Sequence, residues 1–472
     1  MSLADVQSMK ALKTAKQNAS ILRSYTWNTD KGLRNWLAAK ARATSSTGLS
    51  TPTLLFLGDS ITDAAGAAID WNHGYPALYR NSIQLATGLA GHGWLGNHVF
   101  TPDGTWSTIT LKGTNLNIWK GTPTSTQTTF TASYKTMDII YSTFPDGGSA
   151  TITAEGGFNP VTINCNGAES YHNVATITIG GFGKHSVIVN PPASGNIYIE
   201  GFIAHSDQTG LLVNAVGHPG IRAADYKNNQ ASVIASTSAF NPMLSVIMLG
   251  TNDAGTQTSL ADYQAGLDAL VKQALTTGDV LVVSMGDRGD SGSLTIPYSS
   301  YVSTAKQVAV NNNCAYLSIY DRWNRSYSWA NNQGFYNADG IHPSQAGHAD
   351  IAQALFEILG GYPVSGVMQL VYTGANPYGT VQIGTNIPAT LAVSPRLGIG
   401  GYGTAPNVAV TQGATSVAVS MNEVDTTYTI SVSPSWNTSW WITNKTTTGF
   451  TVNFGTAAPS GATIDAMAIP KW

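Results

Sequence analysis

A chain of 472 residues is too long for one compact core, so two to four domains are expected. Charged residues make up only 10% and the net charge is -3, which gives no electrostatic reason to expect nucleic acid. A hydrophobic content of 42% with 12 Trp, 20 Tyr and 12 Phe can fill cores and excludes a disordered chain, while 49 glycines point to many tight turns. No apolar run reaches the length of a spanning helix, and no apolar core follows Met1–Val6, so neither a membrane partner nor a signal peptide is expected. Cys165 and Cys314 lie far apart without metal-ligand spacing and are expected to be free and buried; no metal and no cofactor is expected.

Residues 1–48 read as a helical extension. Lys10, Lys13, Lys16, Arg23, Lys31, Arg34, Lys40 and Arg42 face only Asp5 and Asp30, a balance that also fits a targeting peptide. Trp27, Leu33, Trp36 and Leu37 favour docking on the next domain or on a partner subunit. The Ser- and Thr-rich stretch 44–52 is then a linker into Thr53-Leu54-Leu55-Phe56-Leu57, a buried parallel strand that stops at Gly58-Asp59-Ser60. A helix over 73–89 follows, with Tyr75, Leu78, Tyr79, Ile83 and Leu89 at spacings of three and four.

The pattern then changes. Short alternating runs such as 137–141, 150–154 and 185–189, punctuated by Gly and Pro, predict a β-sandwich or jelly roll over 97–206, inserted into an α/β domain made of 49–96 and 207–362. The α/β rhythm returns with strands at 211–216, 244–249, 280–284 and 315–319. Between them come a helix capped by Ser259 and Asp262 and a helix marked by Tyr301, Val302, Ala305 and Val308. A last helix over 344–359 is stopped by Gly360-Gly361. Strands alternating with helices imply a doubly wound parallel sheet with right-handed crossovers, an α/β/α layering of flavodoxin-like type.

Polar loops end three of these strands, at Ser60, at Gly217-His218-Pro219-Gly220 and at Gly250-Thr251-Asn252-Asp253, and Asp339-Gly340-Ile341-His342 precedes the last helix. A serine hydroxyl needs a base to attack at neutral pH, and a histidine backed by a carboxylate is that base. Asp339 and His342, three residues apart at a helix start, are the pair placed to serve; His348, inside the last helix, reads as a surface residue. These four motifs, in this order and at these strand ends, resemble the SGNH hydrolases, also called the GDSL esterases and lipases. The likeness covers about 50–90 and 207–361. It implies Ser60 as nucleophile, His342 as base and Asp339 as its carboxylate. It also implies an oxyanion hole of the Ser60 N–H, the Gly220 N–H and the Asn252 amide. Gly217 is the alternative to Gly220, a turn cap is the competing role for Asn252, and Asp253 reads as structural. Asp59 and His218 are expected to bind substrate.

Beyond Gly361 a β-sandwich is expected over 366–472. Its stretch Ser435–Val452, with Trp436, Trp440, Trp441 and Phe450, resembles the small β domains that end bacteriophage tail fibres and tailspikes. Its aromatics are assigned to packing ahead of sugar stacking. The two resemblances together imply a serine esterase that removes O-acetyl groups from a bacterial surface polysaccharide, carried on a virion tail as a trimer. A secreted acetylxylan-type or general carboxylesterase, or a catalytically dead glycan-binding tail protein, are the other readings.

Overall fold

The computed structural model describes residues 24–43, 51–67, 73–88, 90–96, 99–114, 116–154, 160–208, 210–228, 240–359, 370–371, 380–381, 403–420 and 429–469. The chain divides into two units, Met1–Tyr362 and Pro363–Trp472.

The first unit is built on a six-stranded sheet of β1 (Thr26–Trp27), β2 (Thr53–Gly58), β3 (Leu212–Gly217), β4 (Leu244–Met248), β5 (Asp279–Ser284) and β6 (Ala315–Ser318), in the spatial order β1-β6-β5-β4-β2-β3. Five strands are parallel, and β1 closes the edge antiparallel to β6. Alternate side chains of β2 serve opposite faces: Leu54 and Phe56 pack with Tyr75, Tyr79 and Leu355, whereas Leu55 and Leu57 pack with Leu267, Val271 and Val308. A strand apolar on both faces has to be covered on both, and helices Tyr75–Thr87 and Gln345–Leu359 cover one side while Leu260–Ala274 and Tyr298–Asn311 cover the other. Ser259 caps its helix by accepting the Asp262 N–H, as the sequence pairing implies. Counted among the parallel strands alone, the order is 2-1-3-4-5. Connections from β2 and β4 leave toward opposite edges, which opens a crevice at their carboxyl ends.

The start of the chain is not one helix. Thr26–Trp27 is strand and Arg34–Ala43 is helix, while residues 1–23 lie outside the described residues. The helix is held to the sheet by Asp279, whose carboxylate accepts the Trp36 N–H at 2.8 Å, and Trp36 is fully buried. The Gly360-Gly361 helix stop also lies outside the described residues.

Between Thr87 and β3 the described chain is β-structure without a helix. The eight strands from Gly93–Leu95 to Ile197–His205 form one antiparallel hydrogen-bonded network. Its long members, Thr128–Thr143 and Ser170–Val189, shift register between Tyr134 and Thr136, where Thr178 and Gly183 flank a bulged segment. Bulges bend a strand, and one bent sheet encloses a core of Phe100, Phe130, Met137, Ile152 and Phe202. The insert is rooted on the α/β layer, since Trp94, Ile140 and Ile203 pack with the same cluster as Leu55 and Leu267.

In the second unit two three-stranded antiparallel sheets, one from Gly403–Ala409, Thr429–Pro434 and Thr463–Ile469 and the other from Ser416–Ser420, Trp440–Thr446 and Gly449–Phe454, share a core of Val419, Val432, Phe450, Val452 and Ile464. Trp436 packs on Phe454 with ring centroids 4.7 Å apart, whereas Trp441 is 52% exposed.

Candidate active site

β2 delivers Ser60 to the crevice, and the tight packing at its end dictates the residues before it. A Cβ on Gly58 would stand 2.1 Å from Thr62 Oγ1 and 2.6 Å from the Met248 carbonyl, so only glycine fits. The Asp59 carboxylate folds back to accept the Ile61 N–H at 2.9 Å, and the Ser60 carbonyl accepts the Ala65 N–H, which winds the chain into a turn that starts at Ser60. The Ser60 N–H finds no acceptor among the described residues.

Ser60 Oγ lies 2.9 Å from His342 Nε2, and His342 Nδ1 lies 2.7 Å from Asp339 Oδ2. Asp339 Oδ1 accepts the N–H groups of Ile341 and His342 at 2.9 and 3.0 Å, which fixes the turn carrying the imidazole. Partial burial of Asp339 favours its protonated form. The N–H donors of Ile341 and His342 outweigh this and hold the carboxyl below its usual range, so Asp339 is ionised at neutral pH. Gly340 adopts φ +66°, open to glycine at little cost. Asn337 joins the two halves of the site: its side-chain amide donates to the Gly66 carbonyl at 3.0 Å on the serine loop, and its N–H donates to the His342 carbonyl.

The other two loops flank β2, because Gly217 is in register with Gly58 on one side and Met248 with Gly58 on the other. Gly217 is buried in β3, where a Cβ would stand 2.2 Å from the Asp63 nitrogen. Gly220 lies three residues on, exposed, with φ +81° and open space around its Cβ position, and its N–H finds no acceptor among the described residues. Of the two glycines, Gly220 is the exposed one. Asn252 sits in the short helix Thr251–Gly255 and donates to the Ile221 carbonyl at 3.0 Å, which ties it to the Gly220 loop; its second amide hydrogen finds no acceptor among the described residues. Asp253 is structural: it accepts the Ala223 and Ala224 N–H groups at the start of helix Ala223–Asn228.

Two readings change. Asp59, expected to bind substrate, is 1% exposed and serves the serine turn instead; burial pushes its carboxyl up to about 7 against the pull of the Ile61 N–H. His348, read as a surface residue, is fully buried. Its Nδ1 accepts the Tyr75 N–H at 3.2 Å and its Nε2 donates to the Ala65 carbonyl at 3.0 Å, so it clamps the serine loop to two helices as a neutral imidazole. His218 is half-buried, with its N–H on the Gly58 carbonyl and its carbonyl accepting the Ile221 N–H, a position beside the crevice. Asn337 and His348 are the contributors that sequence reasoning missed. A cleft lined by Asp63, Arg80, His92 and Trp94 adjoins the serine loop but does not include Ser60 or His342.

This arrangement can perform acyl transfer. As Ser60 Oγ attacks an ester carbonyl its proton passes to His342 Nε2, Asp339 stabilises the imidazolium, and the alkoxide leaves with that proton. Water then repeats the sequence on the acyl-serine and releases the acid. Developing charge on the carbonyl oxygen is met by donors fixed beforehand.

Comparison with known proteins points to the same chemistry. The model of the GDSL-like lipase/acylhydrolase family matches residues 177–349. The match begins inside the β insert and omits β2. No curated protein matches the chain. Among solved structures, a peptidoglycan O-acetylesterase superposes with a TM-score of 0.55 at 18% identity, covering 69% of this chain and 96% of its own, a likeness that shows the fold. An acetylxylan esterase from Geobacillus stearothermophilus matches at 16% identity over 66% of this chain and 95% of its own, with a TM-score of 0.32. A lipase/acylhydrolase from Enterococcus faecalis matches at 21% over 32% of this chain and 77% of its own, with a TM-score of 0.27. The chain is thus similar to the GDSL-like hydrolases over residues 177–349, and this likeness with the serine–histidine–aspartate geometry supports a serine esterase acting on ester bonds.

Proposed function

We propose that the protein is a carbohydrate O-acetylesterase, with Ser60 as nucleophile, His342 as general base and acid, Asp339 as the carboxylate behind it, and Ser60 N–H, Gly220 N–H and Asn252 as oxyanion donors. The observation that carries this reading is the unbroken chain from Ser60 Oγ through both nitrogens of His342 to Asp339, with two links of 2.9 and 2.7 Å. The overall balance is ester plus water to sugar alcohol plus acetate, with no co-reactant. An acetylated polysaccharide as substrate is supported by the β insert rooted beside the catalytic layer and by the named activity of the structure with the same fold.

The finer reading is a virion tail protein, assembled as a trimer, that deacetylates a bacterial surface glycan. It rests on the low-charge surface and the tail-like composition of the second unit. The test is acetate released from a panel of O-acetylated capsule, O-antigen, peptidoglycan and xylan, each with a chemically deacetylated control, alongside the oligomeric mass in solution by light scattering. Faster release from a bacterial surface glycan than from xylan is expected. Preference for xylan transfers the assignment to plant polysaccharide, and no release from any of them overturns the substrate class.

A further inference from the structure

Arg288 is a buried charge that the acyl-transfer scheme does not use. It is 6% exposed, in the loop after β5, and its guanidinium makes a fork to Asp290, with Nε and Nη2 each 2.8 Å from a carboxylate oxygen. Its remaining arm, Nη1, donates to the Thr251 carbonyl at 2.6 Å, the residue before Asn252. Room for it is made by Gly255, where a Cβ would stand 2.9 Å from both terminal nitrogens. The next residue, Gly289, donates its N–H to the Gly340 carbonyl at 2.8 Å, inside the turn between Asp339 and His342. Two consecutive residues therefore hold the oxyanion side and the base side of the crevice at a fixed separation, across loops that no strand pairing joins.

We propose that Arg288 is a positioning residue that sets the spacing between Asn252 and His342 through Thr251 and Gly340. A lysine has one compact charge where this site uses three donors in one plane, so the role calls for arginine. Misplacement of a reacting group by about 1 Å costs on the order of 10²-fold in rate, which sets the size of the expected effect.

The proposal rests on the esterase reading, so p-nitrophenyl acetate hydrolysis by wild type and by Ser60→Ala is measured first; an inactive wild type sinks that reading and not this one. With wild type active, Arg288→Ala is expected to lower kcat about 10²-fold with KM within twofold, and added guanidinium chloride is expected to restore part of kcat at concentrations that leave wild type unaffected. Arg288→Lys is expected to fall between the two and serves as the reporter if the alanine variant does not fold. A folded variant with wild-type kcat overturns the proposal. So does a loss that appears in KM alone, or a kcat that guanidinium fails to raise.

Discussion

Acid sensitivity of the serine loop follows from His348. Burial pushes its imidazole down to about 4, helped by charge on His342 and opposed by the Ala65 carbonyl, whereas in the unfolded chain it titrates near 6.5. The native state therefore excludes a proton that the unfolded state accepts. The stabilisation is complete above pH 6.5 and is lost as pH falls toward 4, because unfolded chains gain protons in that window and native ones do not. About 2.5 pH units at 1.36 kcal/mol each amount to about 3 kcal/mol. Asp59 and Asp253, pushed up to about 7 and about 6 by burial, work in the opposite sense and bind protons more tightly when folded, so wild type alone is not diagnostic. The difference between wild type and His348→Gln isolates the imidazole. Urea unfolding of both proteins at half-unit steps from pH 4 to 7.5 is expected to show wild type gaining about 3 kcal/mol on the variant across the series. A difference that stays constant over that range would refute the neutral-clamp account.

Asn252→Ala is expected to reduce kcat by about 10²–10³-fold, the usual loss for one oxyanion donor, with a smaller change in melting temperature from the lost bond to Ile221; stopped-flow ester hydrolysis and calorimetry separate the two. Gly217→Ala is expected to destabilise by more than about 2 kcal/mol, because its methyl would meet the backbone of Asp63 at 2.2 Å. Gly220→Ala meets no atom and is expected to cost only about 1 kcal/mol for its left-handed φ. Denaturant midpoints that rank the two glycines the other way contradict the packing described here.

The sequence makes the Ser60, Gly220 and Asn252 loops legible because each closes a largely apolar strand, and such strands in an alternating pattern admit few topologies. The Ser259 cap and the inner stripe at Tyr263, Leu267 and Leu270 are readable for the same reason: local spacing alone determines them. The burial of His348 is written in its spacing. It lies three, seven and ten residues before Ile351, Leu355 and Ile358, on the buried stripe of its own helix, where position outweighs polarity. The role of Asp59 is not legible, because the Gly-Asp-Ser sequence does not reveal which way its carboxylate folds. The sheet continuity of the insert, the pairing of Thr26–Trp27 with Tyr316 and Leu317, and the reach of Arg288 to Thr251 depend on partners distant in the chain, and no local pattern encodes them.

The central claim is that the Ser60 oxygen forms and breaks the acyl bond. Its most direct test is mass spectrometry of the intact protein after brief exposure to an acetyl ester and acid quench, with peptide mapping, in wild type, His342→Ala and Ser60→Ala. The account predicts an acetyl adduct on Ser60 in wild type, little or none without His342, and acetate turnover abolished in Ser60→Ala with the fold intact. Undiminished turnover by Ser60→Ala, or an acyl group carried on another residue, would contradict it.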